Sequence, residues 1–188
     1  MIAHMNASYQ KHYPMIATYS RIFAAVPLMV LLSMGTPWSQ WPAAIVFIIA
    51  SLTDWLDGYL ARKYNAESAM GKFMDPIADK IIVLVALIML LHLDRVGPVM
   101  VTILIARDIY IGGLRSVAAA NQVIIAAKPF GKYKTAIQMV TIPCLFVFEP
   151  RLFFNIPIQE IGYWGLWISV VLSLISGIQY TFGYYKNK

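Results

Sequence analysis

Four aspartates lie close together in a chain that is otherwise strongly apolar. Of its 188 residues, 60% are hydrophobic and 13% charged, and the nine acidic residues include Asp54, Asp57, Asp75 and Asp79. An aspartate in a membrane-spanning helix is unfavourable by roughly 2.5–3.5 kcal/mol on insertion scales, so four of them need compensating cations. Hard divalent ions such as Mg²⁺ or Mn²⁺ prefer carboxylate oxygen ligands. We therefore expect these aspartates to bind two divalent cations.

Two metal ions on a carboxylate cage suit phosphoryl chemistry. Such ions, about 3.5–4 Å apart, clamp a diphosphate and stabilise charge on the attacking and leaving oxygens. The small residues Gly58, Ala61 and Gly71 lie between the two aspartate pairs and would let a large ligand approach the backbone. The alternative from another class is a cation or proton transporter. Arg62 and the glycines argue against it, because an ion pathway does not need them.

A helical hairpin is the simplest way to bring the aspartates together. Asp54 and Asp57 are three residues apart, and Asp75 and Asp79 are four apart, so each pair shares one helix face. In a hairpin that turns near residue 66, Asp57 is level with Asp75 and Asp54 is nearly level with Asp79. The sequence therefore predicts one carboxylate cluster near the end of two neighbouring spans.

The composition of the whole chain predicts an all-α integral membrane protein. Its apolar fraction exceeds that of soluble globules, and its length suits a single domain, residues 1–188, of six transmembrane helices. A short juxtamembrane lead-in is expected at 1–13, before spans at about 14–34, 41–64, 71–93, 99–120, 133–148 and 159–184. A single cysteine, Cys144, excludes an intramolecular disulfide. The net charge of +6 indicates an anionic leaflet or anionic substrates rather than nucleic acid.

The distribution of Lys and Arg predicts the orientation of these spans. Ten of them fall on one set of loops and ends, and only Arg95 and Arg151 fall on the other. Cytoplasmic loops carry the excess of positive charge, so both termini are expected in the cytoplasm, which requires an even number of spans. The turn from His92 to Pro98 is expected to be solvated, without a chemical role.

The aspartate segment resembles the signature of the CDP-alcohol phosphotransferase family. It reads Asp54, two residues, Asp57-Gly58, two residues, Ala61-Arg62, eight residues, Gly71, three residues, Asp75, three residues, Asp79, with no departure from that signature. The resemblance implies that an alcohol hydroxyl attacks the β-phosphorus of a CDP-linked donor and that CMP leaves.

The resemblance also implies roles for individual residues. All four aspartates would bind metal, and Asp79 would also be the general base for the acceptor hydroxyl. The positions that match the family's nucleotide site are Thr18, Gly58, Ala61, Arg62, Ser68 and Gly71. Near Thr18, Met15 stands where the family usually has Asn.

A second polar segment indicates the acceptor. Arg107, Arg115, Lys132 and Lys134 are expected around the cytoplasmic ends of spans four and five. Arg107 and Arg115 are eight residues apart, about 12 Å along a helix and within about 80° around it. They can therefore line one basic pocket, which suits a phosphorylated acceptor because Arg binds phosphate bidentately. The alternative is that these cations only set the topology or bind lipid headgroups.

This second segment resembles the branch of the family that makes phosphatidylglycerophosphate, with Asp108 in place of the usual Glu. The resemblance implies CDP-diacylglycerol as donor, glycerol 3-phosphate as acceptor, and a homodimer. The charge distribution predicts an active site at the cytoplasmic face, and we expect a bacterial inner membrane. Inositol phosphate, or phosphatidylglycerol in cardiolipin synthesis, remains an alternative acceptor.

Overall fold

The protein is helical wherever its structure is described. The computed structural model describes residues 22–64, 69–121, 129–147 and 156–186, leaving aside the side chains of residues 54–79 and 119. Within these ranges there are six helices and no β-strand, which confirms the all-helical prediction. The helices are α1 (Ile22–Ser33), α2 (Pro37–Tyr64), α3 (Ala69–His92), α4 (Pro98–Ala120), α5 (Pro129–Phe146) and α6 (Ile158–Lys186).

Proline marks the start of three of these helices. Pro37, Pro98 and Pro129 are the first residues of α2, α4 and α5. Proline suits this position because its fixed φ is helical and its missing N–H would have no intrahelical partner. The sequence prediction began α2 near Trp41 and α5 near Tyr133, so both helices start about one turn earlier than expected. Proline acts here as a helix start rather than as a breaker.

The chain divides into two compact units, and the first is Met1–Met89. It contains α1, α2 and most of α3. Gly35 follows α1 with a φ of 62°, a left-handed conformation that glycine adopts without steric strain, so the chain can turn directly into α2. Large apolar side chains such as Leu28, Leu32 and Phe47 are fully buried.

The second unit, Leu90–Lys188, is built around α6, which packs against both α4 and α5. Its buried residues recur every three or four positions, so a single stripe of α6 faces its neighbours; they include Gly162, Leu166, Ser169, Ser173, Ser176, Tyr180 and Tyr184. The contacts fix the directions of the three helices. Arg107 and Arg115 of α4 meet successively later residues of α6, so α4 and α6 run parallel.

Helix α5 runs antiparallel to α6. Gly131, early in α5, lies beside Tyr180, late in α6, whereas Leu145 near the end of α5 lies beside Gly162 near the start of α6. Among the described residues α6 is the one helix long and apolar enough to cross a membrane by length and composition. Ile22–Ser33 and Lys80–His92 are shorter apolar stretches. The expected six spans remain a prediction.

Candidate active site

The four aspartates lie on two consecutive helices. Asp54 and Asp57 belong to α2, and Asp75 and Asp79 belong to α3. Asp54 lies ten residues before the end of α2, and Asp79 lies ten residues after the start of α3. The sequence distances of the two pairs from the helix ends therefore nearly match, and the clustering of their carboxylates stays a prediction. Their side chains lie outside the described residues.

The donor chemistry of these positions fits a divalent metal. All four residues carry carboxylates, the ligands that Mg²⁺ and Mn²⁺ prefer, and their positions fall on α2 and α3. The predicted nucleotide-site side chains also lie outside the description, although the backbone places Gly58, Ala61 and Arg62 on α2 and Gly71 on α3. Thr18 and Ser68 fall outside the described residues entirely.

The structure brings two of the four predicted acceptor-site residues together around Asp108. The Lys134 ammonium donates to both carboxylate oxygens of Asp108 at 2.6 Å, and the Arg107 Nη1 donates to Oδ1 at 3.0 Å. The side chain of Lys134 is only 4% exposed, so its charge is neutralised inside the protein rather than by solvent. Asp108 therefore joins a cation of α4 to a cation of α5.

Arg107 also reaches α6. Its Nε donates to the carbonyl oxygen of Ser173 at 3.0 Å, and its Nη2 donates to the hydroxyl of Ser176. A guanidinium carries five N–H donors, and these contacts use three. Arg107 is thus anchored both to Asp108 and to α6, and one N–H on each Nη has no partner among the described residues.

Arg115 is held by Tyr180 two turns further along α4. Its Nη2 donates to the Tyr180 hydroxyl, and its guanidinium carbon lies 4.7 Å from the centre of the Tyr180 ring. Tyr180 is buried, whereas Arg115 is exposed. Both arginines thus contact α6, as their placement on one side of α4 predicts. Lys132 is exposed and has no ion-pair partner in the part of the chain that the structure describes.

Sequence reasoning missed the residues of α6 that hold these arginines. Ser173, Ser176 and Tyr180 lie 65 to 69 residues beyond their partners in the chain. Their three- and four-residue spacing puts them on one stripe of an otherwise apolar helix. That spacing was the available signal, since a polar stripe on such a helix indicates a polar partner.

Arg95 corrects the expectation of a solvated turn between α3 and α4. Its Nη1 donates to the carbonyl oxygens of Leu145 and Val147, at 2.7 and 2.8 Å, where α5 ends. Gln159 of α6 donates to the same Val147 oxygen at 2.7 Å. Partial burial lowers the pKa of Arg95 below its ordinary value. Arg95 therefore caps α5, because the last carbonyls of a helix lack intrahelical donors.

The sequence matches a known family over most of its length. A sequence model of the CDP-alcohol phosphatidyltransferase family matches residues 11–175. The chain belongs to this family. The CDP-alcohol phosphatidyltransferase match includes every predicted site residue, and this family generally depends on divalent cations.

Several similar proteins carry the same name, CDP-diacylglycerol–glycerol-3-phosphate 3-phosphatidyltransferase. One from Bacillus subtilis (strain 168) is 39% identical over 77% of this chain and 74% of its own length. One from Rickettsia bellii (strain RML369-C) is 35% identical over 90% of this chain and 93% of its own. One from Shigella flexneri serotype 5b is 34% identical over 91% and 93%. These proteins are thus similar to this chain over 77–91% of its length.

Proposed function

We propose that this protein transfers the phosphatidyl group of CDP-diacylglycerol to glycerol 3-phosphate, giving phosphatidylglycerophosphate and CMP. Family membership supports the reaction class. The names of relatives from Bacillus, Rickettsia and Shigella support this pair of substrates.

The observation that carries the choice of acceptor is the basic cluster on α4. Arg107 and Arg115 both have N–H donors that no described residue uses, and Lys132 and Lys134 follow at the start of α5. Guanidinium groups bind phosphate through paired N–H donors. We assign Arg107, Arg115, Lys132 and Lys134 to the phosphate of glycerol 3-phosphate. A neutral acceptor would not need this charge.

The chemical step is assigned to α2 and α3. The carboxylate of Asp79 takes the proton of the acceptor hydroxyl, and the hydroxyl oxygen attacks the β-phosphorus of the donor. The bond from that phosphorus to the bridging oxygen then breaks, and CMP leaves. Asp54, Asp57, Asp75 and Asp79 would hold two divalent cations, Mg²⁺ or Mn²⁺. When bound, such ions neutralise the charge of a diphosphate and of the oxygens around it.

The donor is assigned to positions between and before the aspartates. Gly58, Ala61 and Arg62 on α2 and Gly71 on α3, together with Thr18 and Ser68, are proposed to line the CDP group. Small residues between the metal ligands would allow the nucleotide close to the backbone. Arg62 supplies a positive charge that suits a diphosphate.

The proposed setting is a bacterial inner membrane, with six spans, both termini and the active site on the cytoplasmic side, and two copies per assembly. The alternating directions of α4, α5 and α6 support consecutive spans. The outward side chains of α6, including Ile168, Val171, Ile178 and Phe182, are apolar and exposed, as expected of a surface that meets lipid. Homodimer formation rests on the family resemblance.

Measurement of CMP release tests the proposal directly. The purified protein, in detergent with Mg²⁺, would be given CDP-diacylglycerol and, in separate reactions, glycerol 3-phosphate, inositol phosphate or phosphatidylglycerol. We expect CMP and phosphatidylglycerophosphate with glycerol 3-phosphate. Release with another alcohol and none with glycerol 3-phosphate would reject the acceptor. No release with any acceptor, together with cation flux in proteoliposomes, would reject the enzyme.

The role of Asp79 is tested by Asp79→Asn, with Asp94→Asn as its control. Asp94 lies in the exposed turn before α4, so its substitution makes the same chemical change outside the site. We expect kcat to fall by roughly 100- to 10,000-fold in Asp79→Asn, as for loss of a general base, and to stay unchanged in the control. Excess chelator should abolish turnover of the unsubstituted protein. Near-normal turnover in Asp79→Asn would remove Asp79 as the base.

A further inference from the structure

A carboxylate at the centre of a proposed phosphate site needs an explanation. Asp108 is bound by the ammonium of Lys134 and by the guanidinium of Arg107, and its side chain is 18% exposed. Its negative charge reduces the net charge of this group of three residues to +1. By Coulomb's law alone, Asp108 opposes the binding of an anion to its neighbours. Attraction of the acceptor therefore cannot be its contribution.

The contacts of Asp108 indicate a geometric contribution instead. Its two oxygens accept bonds from Lys134 of α5, and one of them also accepts from Arg107 of α4. Arg107 is fixed on its other edge by Ser173 and Ser176 of α6. The carboxylate thus holds two flexible cationic side chains in one place, where they would otherwise repel each other and separate.

We propose that Asp108 is a positioning residue, which sets the Arg107 guanidinium and the Lys134 ammonium side by side to receive the phosphate of the acceptor. This inference rests on the proposed function, since it concerns the same acceptor site. Asp108 acts through its two partners and does not touch the substrate. Both carboxylate oxygens of Asp108 lie within 3.0 Å of the nitrogen atoms that donate to them. Because the Asp108 side chain is short, these bonds fix the positions of the two cationic groups.

The proposal and simple electrostatics predict opposite signs for one substitution. Asp108→Asn removes a negative charge beside the acceptor site, so electrostatics alone predicts a lower KM for glycerol 3-phosphate. Positioning predicts a higher KM, because Lys134 and Arg107 lose their shared acceptor. We expect an increase of roughly 10- to 100-fold, the scale on which small misplacements act in an enzyme site. The KM for CDP-diacylglycerol should not change.

The experiment measures both KM values, kcat and the midpoint of thermal unfolding in detergent. Asp108→Glu keeps the charge and is expected to recover most of the affinity lost in Asp108→Asn. Asp94→Asn, in the exposed turn, is the matched control for the loss of one negative charge. An unchanged or lower KM for glycerol 3-phosphate in a folded Asp108→Asn protein would overturn the proposal. So would an Asp108→Glu protein no better than Asp108→Asn.

Asp108→Asn leaves the buried ammonium of Lys134 without its carboxylate, which can prevent folding. A second pair of variants tests the proposal in that case. Lys134→Gln alone is compared with the double variant Asp108→Asn/Lys134→Gln, which has no uncompensated buried lysine. Positioning of Arg107 predicts a higher KM for glycerol 3-phosphate in the double variant than in Lys134→Gln. An equal or lower KM in the double variant would reject the role of Asp108.

The outcomes distinguish this inference from the proposed function. If the unsubstituted protein releases no CMP with glycerol 3-phosphate, the proposed function fails. If it does release CMP and the KM shifts described above are absent, only the role of Asp108 fails, and the basic residues keep their assignment.

Discussion

The two halves of α6 meet their neighbours in different ways. In the first half, Gly162 and Gly165 approach α5 so closely that a Cβ atom on Gly162 would lie 2.9 Å from Leu145 Cγ and 3.1 Å from the Thr141 carbonyl oxygen. In the second half, the hydroxyls of Ser176 and Tyr180 accept hydrogen bonds from the arginines of α4. The first half is distinguished by close packing against α5 and the second by hydrogen bonds with the arginines of α4.

This difference separates stability from recognition along a single helix. Gln159, at the start of α6, and Ser176 are about 25 Å apart along its axis. Near Gln159, Arg95 donates to main-chain carbonyls that belong to the fold itself. Near Ser176, Arg107 retains N–H donors that no described residue uses. Substitutions at the close contacts of the first half should therefore change unfolding, and those at the arginine contacts of the second half should change the KM for the acceptor.

Among substitutions that test the two halves of α6, the largest effect is expected for Arg107→Gln. It removes the guanidinium that we assign to the acceptor phosphate, and hydrogen bonds to charged groups contribute about 1.5–3 kcal/mol each. The KM for glycerol 3-phosphate should rise roughly 10- to 100-fold, while the KM for CDP-diacylglycerol stays the same. Arg107→Lys keeps the positive charge but lacks the planar guanidinium, so its KM for glycerol 3-phosphate should lie between those of the unsubstituted protein and Arg107→Gln. An unchanged acceptor KM in Arg107→Gln would break the division between the two halves of α6.

Gly162→Ala tests the close-packed half. The new methyl group would push against Leu145 and the Thr141 carbonyl, so α5 and α6 must shift apart, and overpacking of this kind costs about 1–3 kcal/mol. The midpoint of thermal unfolding should fall with both KM values unchanged. Gly183→Ala, later in the same helix, is the matched control, because no atom lies within 4 Å of its added Cβ. That control should instead stabilise the helix by about 1 kcal/mol.

Arg95→Met tests the cap of α5 while keeping an unbranched apolar side chain. Two carbonyl oxygens lose a charged donor, although Val147 keeps its bond from Gln159. We expect a loss of about 1–3 kcal/mol in the free energy of unfolding, seen as a lower thermal midpoint. Kinetic constants measured well below that midpoint should be those of the unsubstituted protein. A selective rise in the acceptor KM would contradict the structural role of Arg95.

The smallest effect is expected for Tyr180→Phe, which removes one hydroxyl and keeps the ring beneath Arg115. The Arg115 side chain loses one hydrogen bond but not its cation–π contact, which is a change of about 0.5–1.5 kcal/mol. The KM for glycerol 3-phosphate should rise a few-fold. Tyr180→Leu, which also removes the ring, should raise it further. Equal values for the two variants would show that the ring does not orient Arg115.

Local sequence signals predicted the helices well. Apolar runs separated by Gly, Pro and charged residues gave six helices, and all six are present among the described residues. The starts of α2 and α5 were misplaced by a turn, because Pro37 and Pro129 were interpreted as parts of loops. The aspartate motif is also readable from the sequence, and its members lie on two consecutive helices; the carboxylate cluster itself stays a prediction.

The partners of the basic residues could not be predicted in the same way. Arg107 and Arg115 were assigned to one side of α4 from their spacing alone, and their contacts with α6 agree with that assignment. Which residues of α6 they meet depends on how α4 and α6 pack, and no local pattern near Arg107 specifies Ser176. Asp108 is recognisable in the sequence as a charge in an apolar run and as a substitute for Glu, but its bonds to Lys134 exist only once α5 lies beside α4.

The order of these residues in the chain has a consequence for biosynthesis. Helix α4 is made before α5 and α6, so Arg107 is synthesised before Lys134, Ser173 and Ser176 exist. Asp108 is its immediate neighbour and already binds it within α4 at 3.0 Å. In the proposed membrane topology, α4 can therefore enter the bilayer as a helix whose two central charges cancel. When the later helices arrive, Lys134 adds its bonds to Asp108, and Ser173 and Ser176 add theirs to Arg107.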